Sequence, residues 1–196
     1  MRKTLLCAAA LLAACGNKRV VVEDRYYSLV LEAAEGRSPL ERGDAVARVA
    51  ITAVTLPDFL LSRSLVLQTS SNEITVARHH HWAEPLDESV RKVLAWDLSE
   101  QLPLIDITHG AAKGADCSLA VEFDRLHPSI DSSVLASGRY TLTRGDRVEH
   151  REFDVSRSIW ADGYTSAVAE TRQALAALSQ EMQPLVQACY PQAPTD

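Results

Sequence analysis

Apolar and polar residues change their spacing several times along this chain, and each change marks an element. Tyr26 to Leu31 is rich in aromatic and aliphatic side chains suited to a strand, and the turn formers of Glu35 to Pro39 end it. Ala47 to Val54 alternates from Val49 onward, the period of a half-buried strand, and Pro57 stops it. Leu65 to Thr69 and Ile74 to Arg78 flank the polar run Ser70-Ser71-Asn72-Glu73, which predicts a hairpin. After Pro85 the period lengthens. Val90, Val93, Leu94, Leu98 and Leu102 fall on one stripe of a helix that Asp87 is placed to cap and Pro103 to end. Cys117 to Leu126 alternates again, and Val134 to Thr143 with Val148 to Ser156 make a second hairpin around Arg144-Gly145-Asp146. A final helix begins near Asp162-Gly163 and carries Val168, Thr171, Leu175, Leu178, Met182 and Leu185 on one face. Pro184 lacks the donor a continuing helix uses and should kink or terminate it. Strands interrupted by two amphipathic helices predict an α/β fold, a mixed sheet with helices packed on it.

The N-terminus follows another logic. Arg2 and Lys3 precede ten uncharged residues, Leu5 to Ala14, too few for the roughly 20 that a membrane span requires. A basic start, a short apolar run and small residues before a cysteine describe an export signal. The ending Leu12-Ala13-Ala14-Cys15 resembles the lipobox of bacterial lipoproteins, in which the signal is removed and the cysteine carries lipid. This gives an expected layout: 1–14 signal peptide, 15–24 lipidated tether, 25–190 a single periplasmic α/β domain, and 191–196 a flexible tail. Gly16 and Asn17 follow Cys15 with no aspartate to hold the protein at the inner membrane, so the outer membrane is the expected address.

Charge and cysteine content agree with that address. The net charge of −6 becomes more negative once Arg2 and Lys3 are removed, which argues against nucleic acid and against electrostatic attraction to anionic lipid. With Cys7 discarded and Cys15 lipidated, Cys117 and Cys189 remain, either paired in an oxidising compartment or separate as buried thiols.

Candidate chemistry is sparse. In an extended segment His79 and His81 share a face and are able to share a metal, but a third or fourth ligand is needed, and Glu84 and His109 have no spacing that argues for them. The polar edge of a strand accounts for the cluster equally well and is preferred, so no metal is expected. No Gly-x-Ser-x-Gly elbow or phosphate-binding glycine loop is present, and Asp106, His109, Asp116 and Asp124 are scattered. No catalytic residue is assigned and the chain is read as a non-enzyme. Two apolar runs stand out. In Leu56-Pro57-Asp58-Phe59-Leu60-Leu61, three consecutive apolar residues cannot all face one core; Trp82-Ala83-Glu84-Pro85-Leu86 places a tryptophan either in the core or on a contact surface.

The succession "YYSLVL", "VAITAVTLPDFL", "HHHWAEPLDESVRKVLAWDL", "SLAVEFDRL" and "AVAETRQALAALSQEM" behind a lipobox resembles the ABC-type transport auxiliary lipoprotein family over nearly the whole mature chain. The Leu56-Pro57-x-Phe59-Leu60 and Trp82-Ala83-Glu84-Pro85-Leu86 runs carry most of that likeness. His79-His80 and the cysteine pair depart from it. The resemblance implies a three-layer α/β sandwich with a mixed sheet, similar to the N-terminal domain of TolB. It also implies an outer-membrane lipoprotein working with an MCE-domain protein and its inner-membrane permease to move lipid between two membranes. The expected role is a non-enzymatic adaptor docking the periplasmic conduit, alone or as a homo-oligomer, with no cofactor beyond the lipid on Cys15. Leu56, Pro57, Phe59, Leu60, Trp82, Glu84 and Pro85 are the expected partner-binding residues. The alternative is a lipoprotein carrying a lipid in a pocket of its own.

Overall fold

A computed structural model of the chain describes residues 22–30, 45–102, 105–110, 112–161 and 163–190. The signal segment, Cys15, the tether as far as Val21, Leu31, the turn at 35–39, Pro103, Asp162 and the tail 191–196 lie outside the described residues. The strands are β1 (Arg25–Tyr27), β2 (Ala47–Thr55), β3 (Ser64–Ser70), β4 (Glu73–Trp82), β5 (Ile105–His109), β6 (Cys117–Ser129), β7 (Ser133–Arg144) and β8 (Arg147–Ser158). The helices among the described residues are α1 (Leu86–Gln101) and α2 (Tyr164–Gln187), with a 3₁₀ turn at Asp58–Leu60.

These elements form an α/β fold with mixed sheets and two helices, the strands divided between two sheets rather than gathered in one. The larger has the order β5-β2-β6-β7-β8, with β2 parallel to both its neighbours and the rest antiparallel. The smaller has the order β1-β4-β3, with β1 parallel to β4. β3 also packs against β6, where the Ser129 hydroxyl donates to Gln68 Oε1 at 3.4 Å.

Local chemistry explains where boundaries depart from the pattern. The expected first strand stops at Tyr27 because its partner β4 ends at Trp82, opposite Tyr27, leaving no edge for Ser28 onward. Leu29 plugs the core instead, 1% exposed. α1 begins at Leu86, directly after Pro85, so Asp87 lies within the first turn and does not cap it. Asp87 and Glu88 there still favour the positive end of the helix dipole. α2 runs through Pro184 to Gln187, because buried Leu185 and Val186 hold the last turn against the core despite the missing donor.

Period-2 alternation sends Val49, Ile51, Leu119, Val121, Phe123, Tyr140, Leu142 and Phe153 to the face where both helices pack. The stripes read from sequence meet them: Val90, Val93, Leu94 and Leu98 from α1, Leu175, Leu178 and Met182 from α2, all fully buried. Each such aliphatic side chain contributes about 1.5–3 kcal/mol. The opposite face is polar, with Glu122, Arg139 and Glu152 side by side on β6, β7 and β8. A bulge at Asp124 makes β6 approach β7 so closely that a Cβ on Gly138 would sit 2.0 Å from the Glu122 carbonyl oxygen.

Two non-apolar links cross this core. Asp97 on α1 and Arg172 on α2, both largely buried, form a bidentate pair, Nη1 to Oδ2 at 2.8 Å and Nη2 to Oδ1 at 2.6 Å. Cys117 at the start of β6 is bonded to Cys189 just beyond α2, their Cα atoms 6.2 Å apart and 72 residues apart in the chain. Removing one member of the ion pair strands a buried charge, so Arg172→Ala or Asp97→Ala should cost about 3–5 kcal/mol, while Asp97→Leu with Arg172→Met should recover most of it; urea unfolding of the three variants checks this. Cys117→Ser with Cys189→Ser frees a long loop in the unfolded chain. Its expected cost is about 4 kcal/mol, read as a lowered urea midpoint that dithiothreitol reproduces in the wild type and leaves unchanged in the variant.

Candidate functional site

The Leu56 to Leu61 run divides by direction. Leu56 and Leu60 turn inward, 5% and 3% exposed, because one 3₁₀ turn carries Asp58 and Phe59 around the outside between them. Phe59 and Leu61 stay outside, at 37% and 57% exposure, and the Phe59 ring lies over His127 with centroids 6.1 Å apart. Burial pushes the pKa of the His127 imidazole below its usual value.

Trp82 also belongs to the core. It is 7% exposed and shares an apolar pocket with Leu60, Val66, Leu86, Leu126 and Val168. Pro85 is exposed, and half-buried Glu84 pairs with Lys92 in the second turn of α1. Of the seven expected contact residues, Leu56, Leu60 and Trp82 are therefore packing residues. Of the others Phe59 and Pro85 are exposed and Pro57 and Glu84 half-buried, and exposed Leu61 joins them.

The three histidines lie within β4, not at a loop, and alternate as an extended chain requires. His79 and His81 flank Asp24, which precedes β1: His79 Nδ1 is 2.9 Å and His81 Nε2 3.8 Å from the same carboxylate oxygen. The His79 hydrogen bond, with the neighbouring imidazole charges, holds Asp24 below the usual carboxylate range. His80 faces the other way, hydrogen-bonded to the Tyr27 hydroxyl through Nδ1 at 2.8 Å and stacked on Tyr164 at 3.7 Å. Burial and the nearby Arg25 push its pKa down. The cluster thus fastens the entering chain to β4 and to the start of α2. Among the described residues no group of three or more His, Cys, Asp or Glu side chains is arranged to hold a metal.

Asp106 receives the Arg48 guanidinium at 3.1 Å, and Asp116 accepts the Arg48 backbone N–H at 2.8 Å. Asp124 borders an open polar groove of about 530 Å³ on the uncovered sheet face, where Arg139 pairs with Glu122 and Arg125 with Asp154. His109 closes β5, on the far side of β2 from that groove. The apolar pocket around Trp82 has a volume of about 10 Å³, far below the ~300–1,000 Å³ of ligand sites. The sequence reading missed a further exposed pair, Trp160 at 87% and Ile130 at 68%, on adjoining loops. Neither has a periodic neighbourhood, so only the fold reveals their exposure.

Comparison with known proteins places this arrangement. The chain is 30% identical over 169 residues to the intermembrane transport lipoprotein PqiC of Escherichia coli, covering 86% of this chain and 88% of that protein, with the same figures for PqiC of Shigella flexneri. A crystal structure of an uncharacterized protein shares the fold with a TM-score of 0.71 and 26% identity, covering 84% of this chain and 99% of that one. The fold recurs in a crystal structure of a Xanthomonas campestris protein, TM-score 0.61 at 16% identity, covering 76% of this chain and 89% of that one. The model of the ABC-type transport auxiliary lipoprotein component matches residues 27–183, and the chain belongs to that family.

Proposed function

We propose that this protein is held by lipid on Cys15 at the periplasmic face of the outer membrane, where it docks the periplasmic conduit of an MCE-type intermembrane lipid transport system. It works as an adaptor, alone or as a ring of copies, and carries out no chemistry itself. The observation that carries this reading is family membership across residues 27–183, joined to a likeness to intermembrane transport lipoproteins over 86% of the chain. Its contact surface is built on exposed Phe59, Leu61 and Pro85 with half-buried Pro57 and Glu84, and Phe59 and Leu61 keep apolar surface in water. Carriage of a lipid inside the body is the weaker reading, since the apolar pocket between sheet and helices is about 10 Å³ and admits no acyl chain.

Two experiments test this. Cys15→Ser should abolish palmitate labelling and move the protein from the outer-membrane fraction of a sucrose gradient to the soluble fraction; unchanged labelling would refute the anchor. Leu61→Asp replaces a side chain that is 57% exposed, so the melting temperature should hold while crosslinked recovery of an MCE-domain partner falls about tenfold, equivalent to about 1.4 kcal/mol. Undiminished recovery would move the docking surface elsewhere.

A further inference from the structure

The most exposed large apolar side chain among the described residues is Trp160, in the loop between β8 and α2. Ile130, in the turn between β6 and β7, is its counterpart, and the two loops are tied together where Ile159 N–H donates to the Ser132 carbonyl at 2.7 Å. Beside them runs a shallow groove of about 280 Å³ walled by Leu67, Pro128, Ile159, Ala161 and Ala167. Two charged residues near this tip have protein partners. Asp131 accepts the Ser133 hydroxyl at 2.7 Å, and Arg157 reaches Glu170 at 3.4 Å.

We infer that Trp160 and Ile130 form a membrane-contact tip that seats in the headgroup layer of the leaflet to which the chain is anchored. The proposal rests on the anchored reading above and adds an orientation to it. Three observations select lipid as the occupant. The chain enters the fold at Asp24, nine residues after Cys15, so the body hangs at most about 30 Å from the acylated residue. That entry strand is linked to the tip's own helix by ring contacts, Tyr27 to His80 at 5.7 Å and His80 to Tyr164 at 3.7 Å, with Tyr164 only four residues beyond Trp160. Finally, two exposed apolar side chains on two adjoining loops fall far short of the ~1,000 Å² of a stable protein interface, and a tryptophan with an apolar ring and one N–H donor suits the membrane–water boundary.

The test uses the lipoprotein purified from membranes and reconstituted into phosphatidylethanolamine–phosphatidylglycerol vesicles with brominated acyl chains. Flotation reports attachment and tryptophan fluorescence reports depth. Trp82 and Trp96 supply a background that Trp160→Phe measures, so most of the bromolipid quenching should vanish in that variant, and Ile130→Glu should reopen Trp160 to aqueous iodide. Protein that floats while Trp160 stays unquenched by bromolipid and open to iodide overturns the tip and leaves the anchor standing. A chain that does not float overturns both. Flotation that needs Trp160 but persists in the Cys15→Ser chain supports the tip and removes the anchor. Iodide access on vesicles combined with protection in intact cell envelopes assigns the tip to a protein and overturns the lipid contact.

Discussion

A carboxylate and a guanidinium withdrawn from water between two helices set the geometry on which the rest of this protein depends. Apolar faces alone would let α1 and α2 slide by a turn at modest cost, because one leucine replaces another. The Asp97–Arg172 pair does not allow that: a one-turn slip breaks two charge-assisted hydrogen bonds and leaves both charges buried. Fixing α2 against α1 fixes Tyr164, the first residue of α2, over His80 of β4. His80 in turn holds Tyr27 of β1, the strand through which the N-terminal chain enters. At the other end of α2 the Cys117–Cys189 bond attaches the last turn to the first residue of β6. One helix is thereby tied at its middle, start and finish, and both sheets are referred to it.

This explains which parts of the fold were legible beforehand. The two helical stripes were visible because burial demands apolar residues at 3.6-residue spacing, and every named stripe residue is buried. The hairpins were visible because a two-residue turn, Ser71-Asn72 or Gly145-Asp146, has its own chemistry. β5 was not, since Ile105 to His109 is five residues long and its identity as a strand comes from pairing in parallel with β2 across 58 residues of chain. The division into two sheets was hidden for the same reason: pairing partners far apart in sequence leave no local trace.

The contact residues show the same limit at single-residue scale. Phe59-Leu60-Leu61 announced by composition that part of it must face outward, but which part depended on the 3₁₀ turn at Asp58. Trp82 was ambiguous because a large aromatic is equally at home in a core and on an interface. The structure resolves it through β4, whose alternation turns His81 to the Asp24 side and Trp82 into the core. Trp160 gave no warning at all, being a solitary apolar residue in a loop.

The energetic roles of anchor and body are unequal, and the inequality bears on how such an adaptor works. An acyl chain contributes ~0.8 kcal/mol per buried CH₂, so the lipid proposed on Cys15 would hold the protein at a membrane far more firmly than two side chains on loops. Lipid attachment by itself, however, sets no orientation. A body held by its lipid alone would present Phe59 and Leu61 in every direction, and a docking partner would pay for that disorder when it binds. The proposed second contact at Ile130 and Trp160, near the same end of α2 that holds the entry strand, would remove most rotational freedom without adding much affinity. In that proposal attachment and aim come from different parts of the chain, so a docking partner would meet a surface already turned toward it.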